Sequence, residues 1–286
     1  MKINVKKFDM SKMKKDATVL LIGKRGSGKS TLLKDILFHM RDRLDFGLLF
    51  SATEEATNCL DGIIPKSCMY SDYSESAVAV MLQLQKMARK KGNAKNVFII
   101  SDDLGFDKKN LSSKVTKECY LNGRHSNLFY ITCQQYCLDA PPAIRTNIDY
   151  VISFADNVYS NRERLWKNFF GVFASMSDFE AVYRECTRGY DCMIMDNTQK
   201  TVANVGDNVY WYAARDNLPS FKMCKPVFWE LDRQYYRDRD LSMNATVVGV
   251  RGREKKEEAE KNVFVVERQD ATGRAISTIS TTRKKR

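Results

Sequence analysis

The sequence predicts an α/β fold with a mostly parallel central sheet flanked by helices, and three observations carry that prediction. Apolar runs of strand length alternate with segments of helical period along residues 17–186, the arrangement that builds crossover connections and a parallel sheet. The first of those runs ends in glycine and passes through Gly28-Lys29-Ser30 directly into a helical pattern. The length of 286 residues, 43% of them hydrophobic, suits one large domain with a tail.

The elements follow in order, and no internal repeat interrupts them. "ATVLLIG" (17–23) is a continuous apolar run and reads as a buried strand. "STLLKDILFHMRDRL" (30–44) places Leu33, Ile36, Leu37, Met40 and Leu44 on one helical face. "FGLLFSA" (46–52) is a second strand. Asp72 followed by Glu75 fits a capping box that opens a helix to about Lys90. "NVFIISDD" (96–103) is a third strand ending in two acids, and "SSKVTKECYLNGR" (112–124) is helical. "NLFYITCQQ" (127–135) and "IDYVISF" (148–154) are the fourth and fifth strands. Helices are expected near 160–170 and 177–186, then strands at "DCMIMD" and "NVYWYAA" along one sheet edge. "FFGVFAS" and the Trp211/Tyr212 pair read as core rather than as base-stacking platforms. These assignments give a core domain over 1–238 and a charged, flexible tail over 239–286, with "RGREKKEEAEK" and "TTRKKR" too polar to pack.

Composition narrows the functional classes. A net charge of +12 and a pI near 9.2 suit a polyanionic partner such as nucleic acid. Eight cysteines without paired spacing read as reduced thiols rather than a disulfide framework. With two histidines, neither near a cysteine pair, a metal cluster of zinc type is not expected. Without an apolar run of membrane length or a signal-peptide core, the protein is expected to be soluble and not secreted by the usual route.

The chemistry gathers at the ends of the predicted strands. Gly23, Lys24, Arg25, Gly26, Ser27, Gly28, Lys29, Ser30 and Thr31 form a phosphate-binding loop of the pattern Gly-x-x-x-x-Gly-Lys-Ser. In such a loop backbone N–H groups surround the β-phosphate of ATP, Lys29 reaches the β- and γ-phosphates, and the Ser30 hydroxyl binds Mg²⁺. The following helix presents its positive end to the anion. "FIISDD" brings Asp102 to the carboxyl end of its strand, where it would hold Mg²⁺ through water. Asp103 beside it would polarise the attacking water. Gln134, ending the next strand, would sense the γ-phosphate or orient water. Arg124 precedes that strand and so points away from its own nucleotide, where it could complete a neighbouring subunit's site as an arginine finger. Arg145 is the rival for that role. The basic end "TTRKKR" has three readings: phosphate contacts with DNA, a nuclear address, or a solvated terminus.

In order, "GKRGSGKST", "FIISDD", "GRHSNLFYITCQQ" and "IRTNIDYVISF" resemble the FtsK–HerA superfamily of DNA-pumping ATPases. With "FDMSKMKKDATVLLIGKRGSGKSTL" and "VYWYAARD", the chain is more closely similar to the genome-packaging ATPases of poxviruses and other nucleocytoplasmic large DNA viruses. The resemblance spans about residues 5 to 230. It implies an ASCE-type P-loop sheet, a homo-oligomeric ring (pentamer or hexamer) and ATP-driven movement of double-stranded DNA into a capsid. It also implies capsid or portal-vertex partners, and work at viral assembly sites in the host cytoplasm or within the virion. Carried onto this chain, it assigns Lys29 and Ser30 to nucleotide and Mg²⁺, Asp102 to Mg²⁺, Asp103 to the base, Gln134 to the sensor and Arg124 to the trans finger. Two departures stand out: Asp103 occupies a position where many relatives have Glu, and Gln135 is a second sensor candidate. Three alternatives remain. A helicase of the same superfamily would need strand-separating elements. A nucleotide-gated scaffold sits poorly with intact Lys29, Asp102 and Asp103. A metabolic kinase would carry a substrate lid and leave the charge unexplained.

Overall fold

The structure, a computed structural model, describes residues 4–102, 113–137, 141–199, 204–236, 262–269 and 275–283. The chain divides into two compact units, Met1–Arg237 and Asp238–Arg286. The first is built on a nine-stranded sheet. Its strands are β1 (Lys6–Lys7), β2 (Thr18–Ile22), β3 (Phe46–Ser51), β4 (Met69–Tyr70), β5 (Val97–Asp102), β6 (Leu128–Gln134), β7 (Tyr150–Phe154), β8 (Cys192–Asp196) and β9 (Val209–Tyr212). They lie in the order β1-β9-β8-β7-β2-β6-β5-β3-β4. β8 runs antiparallel to both neighbours, and all other pairings are parallel. The predicted mixed, mostly parallel sheet is therefore the observed one.

The pleat divides the core. Every residue of β2 is buried, as expected of a strand covered on both faces. Val19 and Leu21 join one apolar cluster, with Phe98, Ile100, Phe129, Ile131, Tyr150 and Ile152 from neighbouring strands. That cluster packs under helix α1 (Lys29–Met40) through Leu33, Ile36, Leu37 and Met40. Leu20 and Ile22 join the other cluster, which is covered by α3 (Glu75–Lys90), α4 (Lys114–Asn122), α6 (Tyr159–Phe169) and α7 (Met176–Cys186). Two short helices, α2 (Glu54–Leu60) and α5 (Pro142–Arg145), complete these layers. Phe170 and Phe173 are buried in the second cluster, and Tyr212 in the first. Trp211 is half-buried, with the Lys7 ammonium 5.5 Å from its ring centroid.

Several boundaries differ from the sequence reading. α1 ends at Met40, although Leu44 remains buried in the turn that follows. The cap of α3 is Ser74, whose hydroxyl accepts from the Ala77 N–H, and not Asp72. β1, β4 and α2 were not foreseen, nor was the helix over 226–236. In the second unit, β10 (Asn262–Gln269) and β11 (Ala275–Arg283) pair as an antiparallel hairpin within the stretch read as a tail without elements. Both strands are rich in the β-branched residues that favour a pleated backbone.

Candidate nucleotide site

β6 lies between the glycine-loop strand β2 and the acid-bearing strand β5. The loop leaves β2 at Gly23, whose N–H donates to the Gln134 carbonyl at 3.0 Å. A Cβ at Gly23 would stand 2.5 Å from Ser27 Oγ and 2.9 Å from Phe154 Cδ2, so only glycine fits there. Gly26 and Gly28 take φ of 72° and 99°, the left-handed region that glycine enters without steric cost. Gly28 caps α1 without any side-chain hydrogen bond, which leaves first-turn N–H groups for an anion. Lys29 Nζ donates to the Gly23 carbonyl and, at 3.1 Å, to the Lys24 carbonyl, so the ammonium lies directly over the loop. Ser27 Oγ, close against Gly23 within the loop, is buried without a hydrogen-bond partner.

A cavity of about 630 Å³ opens from this loop, and Arg25, Lys29, Ser30, Thr31, Asp102 and Gln135 are among its lining residues. Asp102 ends β5 on the α1 side of the sheet, two and four residues after Ile100 and Phe98. It is 8% exposed, and its Oδ2 accepts from Ser51 Oγ at 3.3 Å and Thr53 Oγ1 at 3.4 Å. The Ser30 hydroxyl and the Asp102 carboxylate are hard oxygen donors on one cavity, the donor chemistry that Mg²⁺ takes while keeping several waters. Asp103, the expected base, lies outside the described residues.

The other expected residues divide. Gln134 is buried at the end of β6 but does not line the cavity, whereas Gln135 does. Strand alternation is the reason. Phe129, Ile131 and Cys133 face the α1 layer, so residue 135 falls on the side of Asp102 and residue 134 on the opposite one. The period-2 pattern of "LFYITCQQ" carries that signal. Arg124 sits at the amino end of β6, away from the cavity, as expected. Its guanidinium pairs with Asp149, whose other oxygen accepts from the Thr18 N–H at 2.9 Å. The Arg124 side chain remains 59% exposed. Arg145 donates to Asn168 Oδ1 at 2.9 Å.

The second wall of the cavity escaped the sequence reading. Tyr190 and Asp191 come from the turn before β8, and Ala213, Ala214 and Asp216 from the segment after β9. That segment is tied to α1. The fully buried Asp35 carboxylate accepts from Tyr212 Oη at 2.7 Å, the Arg215 N–H at 3.0 Å, Arg215 Nε at 3.1 Å and Arg215 Nη2 at 2.8 Å. Burial, with the nearby Arg215 guanidinium, holds the His39 imidazole below its usual pKa. Its Nε2 lies 2.6 Å from Arg215 Nη2, and the neutral ring accepts there.

A glycine loop at a helix N-terminus, an acid two strands away and a strand interposed between them define a P-loop ATPase of the ASCE type. The chain belongs to the poxvirus A32 protein family, whose defining sequence pattern matches residues 5–198. It is 31% identical over 245 residues to protein L437 of Acanthamoeba polyphaga mimivirus, spanning 82% of this chain and 85% of that one. It is 30% identical over 223 residues to protein 075L of Invertebrate iridescent virus 6, spanning 77% and 86%. Its fold is similar to that of the genome packaging NTPase B204 from Sulfolobus turreted icosahedral virus 2 in complex with AMPPCP. The TM-score is 0.51 at 20% identity, over 71% of this chain and all of that one.

Proposed function

We propose that the protein is the ATP-driven motor that moves double-stranded viral DNA into a capsid. The observation that carries this reading is the cavity itself, where the Gly23–Ser30 loop and the Lys29 ammonium face Asp102 across one space, in a chain of the poxvirus A32 family. The loop N–H groups and Lys29 bind the β- and γ-phosphates of ATP, and Ser30 and Asp102 would hold Mg²⁺. The metal, when bound, neutralises charge that develops on the phosphates. Asp103, next along the chain, accepts the proton of the attacking water. Gln135 orients that water or reads the γ-phosphate, in place of Gln134. Arg124 acts across a subunit contact: it lies at the end of the sheet opposite its own loop, and the Asp149 carboxylate steers its half-exposed side chain. This role requires a ring, in which one subunit's amino-end surface meets the next subunit's cavity.

The charge of +12 supplies sequence-independent contacts to DNA phosphates, whose strength falls with salt. Capsid or portal-vertex proteins would anchor the ring at viral assembly sites in the host cytoplasm. The test is ATP turnover of the full chain with and without double-stranded DNA. A large stimulation that fades as salt rises is expected. Turnover indifferent to DNA at low salt would refute the motor and leave an ATPase with another task.

A further inference from the structure

The cavity is polarised. Its cations, Arg25 and Lys29, belong to the glycine loop; its acids are Asp102 at the end of β5, the carboxylate read as a Mg²⁺ donor, and Asp191 and Asp216 on the second wall. A triphosphate is drawn to the loop and repelled from the second wall, so a nucleotide enters with its base toward that acidic wall.

Tyr190 stands at that wall in an unusual state. Its side chain is 73% exposed, more than any other large apolar side chain described, so no core packing accounts for it. A tight turn lifts it there: Gly189 takes φ of 63°, and the Asp191 N–H donates to the Arg188 carbonyl at 3.0 Å. The ring nonetheless sits beside the loop, with Cδ1 3.6 Å from where a Cβ on Gly28 would stand. Beside it on the same wall, where the β8–β9 pairing brings the two segments together, Ala213 and Ala214 add only methyl groups, and the Arg215–Asp35 hydrogen bonds fix their backbone to α1. The helix that offers its N-terminus to phosphate therefore also anchors that wall.

We infer that the Tyr190 ring is the platform on which the nucleobase stacks, on the wall it shares with Ala213–Ala214. The inference rests on the nucleotide reading of the cavity and adds the base end to it. Stacking needs only an aromatic face, so the site takes the base by its plane and leaves the phosphates to the loop. Truncating an aromatic base platform lowers affinity by roughly 5- to 140-fold.

The experiment is calorimetric titration of the full-length protein with Mg·ATPγS and, separately, with Mg·tripolyphosphate, which has the phosphates and no base. Tyr190→Ala should weaken ATPγS binding by roughly 5- to 140-fold, leave tripolyphosphate binding unchanged and, because the side chain is exposed, leave the fold intact. Tyr190→Phe keeps the ring and should bind ATPγS as the parent does. ATPγS affinity unchanged in Tyr190→Ala, or lost in step with tripolyphosphate, overturns the platform while the nucleotide site stands. A parent protein that binds neither ligand overturns the nucleotide reading itself, and the platform falls with it.

Discussion

Asp35→Ala tests whether the second wall of the cavity is held by the buried carboxylate. Asp35 is fully buried and accepts four hydrogen bonds, from Tyr212 Oη and from three nitrogens of Arg215. Its removal strands the Tyr212 hydroxyl, on a residue only 5% exposed, and the part-buried Arg215 backbone N–H. The buried hydroxyl left unpaired costs ~1–3 kcal/mol, and the part-buried N–H, which water can reach, adds less. The guanidinium is 47% exposed, so water takes up most of its lost pairing, and that part adds at most ~1 kcal/mol. The total is about 3 kcal/mol, which in a unit of this size lowers Tm by roughly 6–12 °C. Thermal melting followed by circular dichroism reads it directly. Asp35→Asn keeps the shape and one acceptor and should lose about half as much. Arg215→Ala strands the carboxylate from the other side, so the double variant should lose less than the two single losses together. A Tm within about 2 °C of the parent in Asp35→Ala, or strictly additive losses, would refute the reasoning. It would mean that the wall at 213–216 is held by its apolar contacts alone.

Three further outcomes concern the chemistry. Gln135→Ala should lower kcat by about 10²-fold, the scale of losing one preorganised polar group, and Gln134→Ala far less; steady-state turnover with the ranking reversed would restore Gln134 as the sensor. Asp103→Asn should bind ATP but cleave it slowly, since the amide cannot accept a proton; filter binding that shows lost nucleotide instead would make Asp103 a metal ligand. Arg124→Ala should bind ATP and lose ~10³-fold or more in turnover, with activity partly restored on mixing with Lys29→Ala protein; mixed oligomers that stay inactive would move the finger to Arg145.

The strands that carry the site were legible because both their faces are buried. Each of β2, β5, β6 and β7 reads as a mostly apolar run with only an occasional Ser or Thr or a polar end residue, the pattern of a strand covered on both faces. The Gly23–Ser30 loop was legible for a different reason: its glycines meet backbone demands, at Gly23 by steric exclusion and at Gly26 and Gly28 by positive φ. β1 and β4 carried no such signal, because each is two residues long and not buried. The Ser74 cap was missed because Asp72 also matched the capping spacing, and only the backbone path decides between them. The wall of Tyr190, Asp191, Ala213, Ala214 and Asp216 was illegible because it is assembled from two chain segments brought together by the β8–β9 pairing. "VYWYAARD" was legible as a shared phrase, but nothing in it says that its last residues line a cavity. That Gln135 and not Gln134 lines the cavity was available in the alternation of β6, once Asp102 fixed which face looks at the loop.

If ATP hydrolysis moves the protein along double-stranded DNA, as proposed above, displacement of a third strand from a DNA triplex reports that movement. The full chain with ATP and Mg²⁺ should release the third strand from a blunt duplex, and Lys29→Ala protein or a non-hydrolysable analogue should release none. Third strand left in place while ATP is turned over and DNA is bound would contradict it.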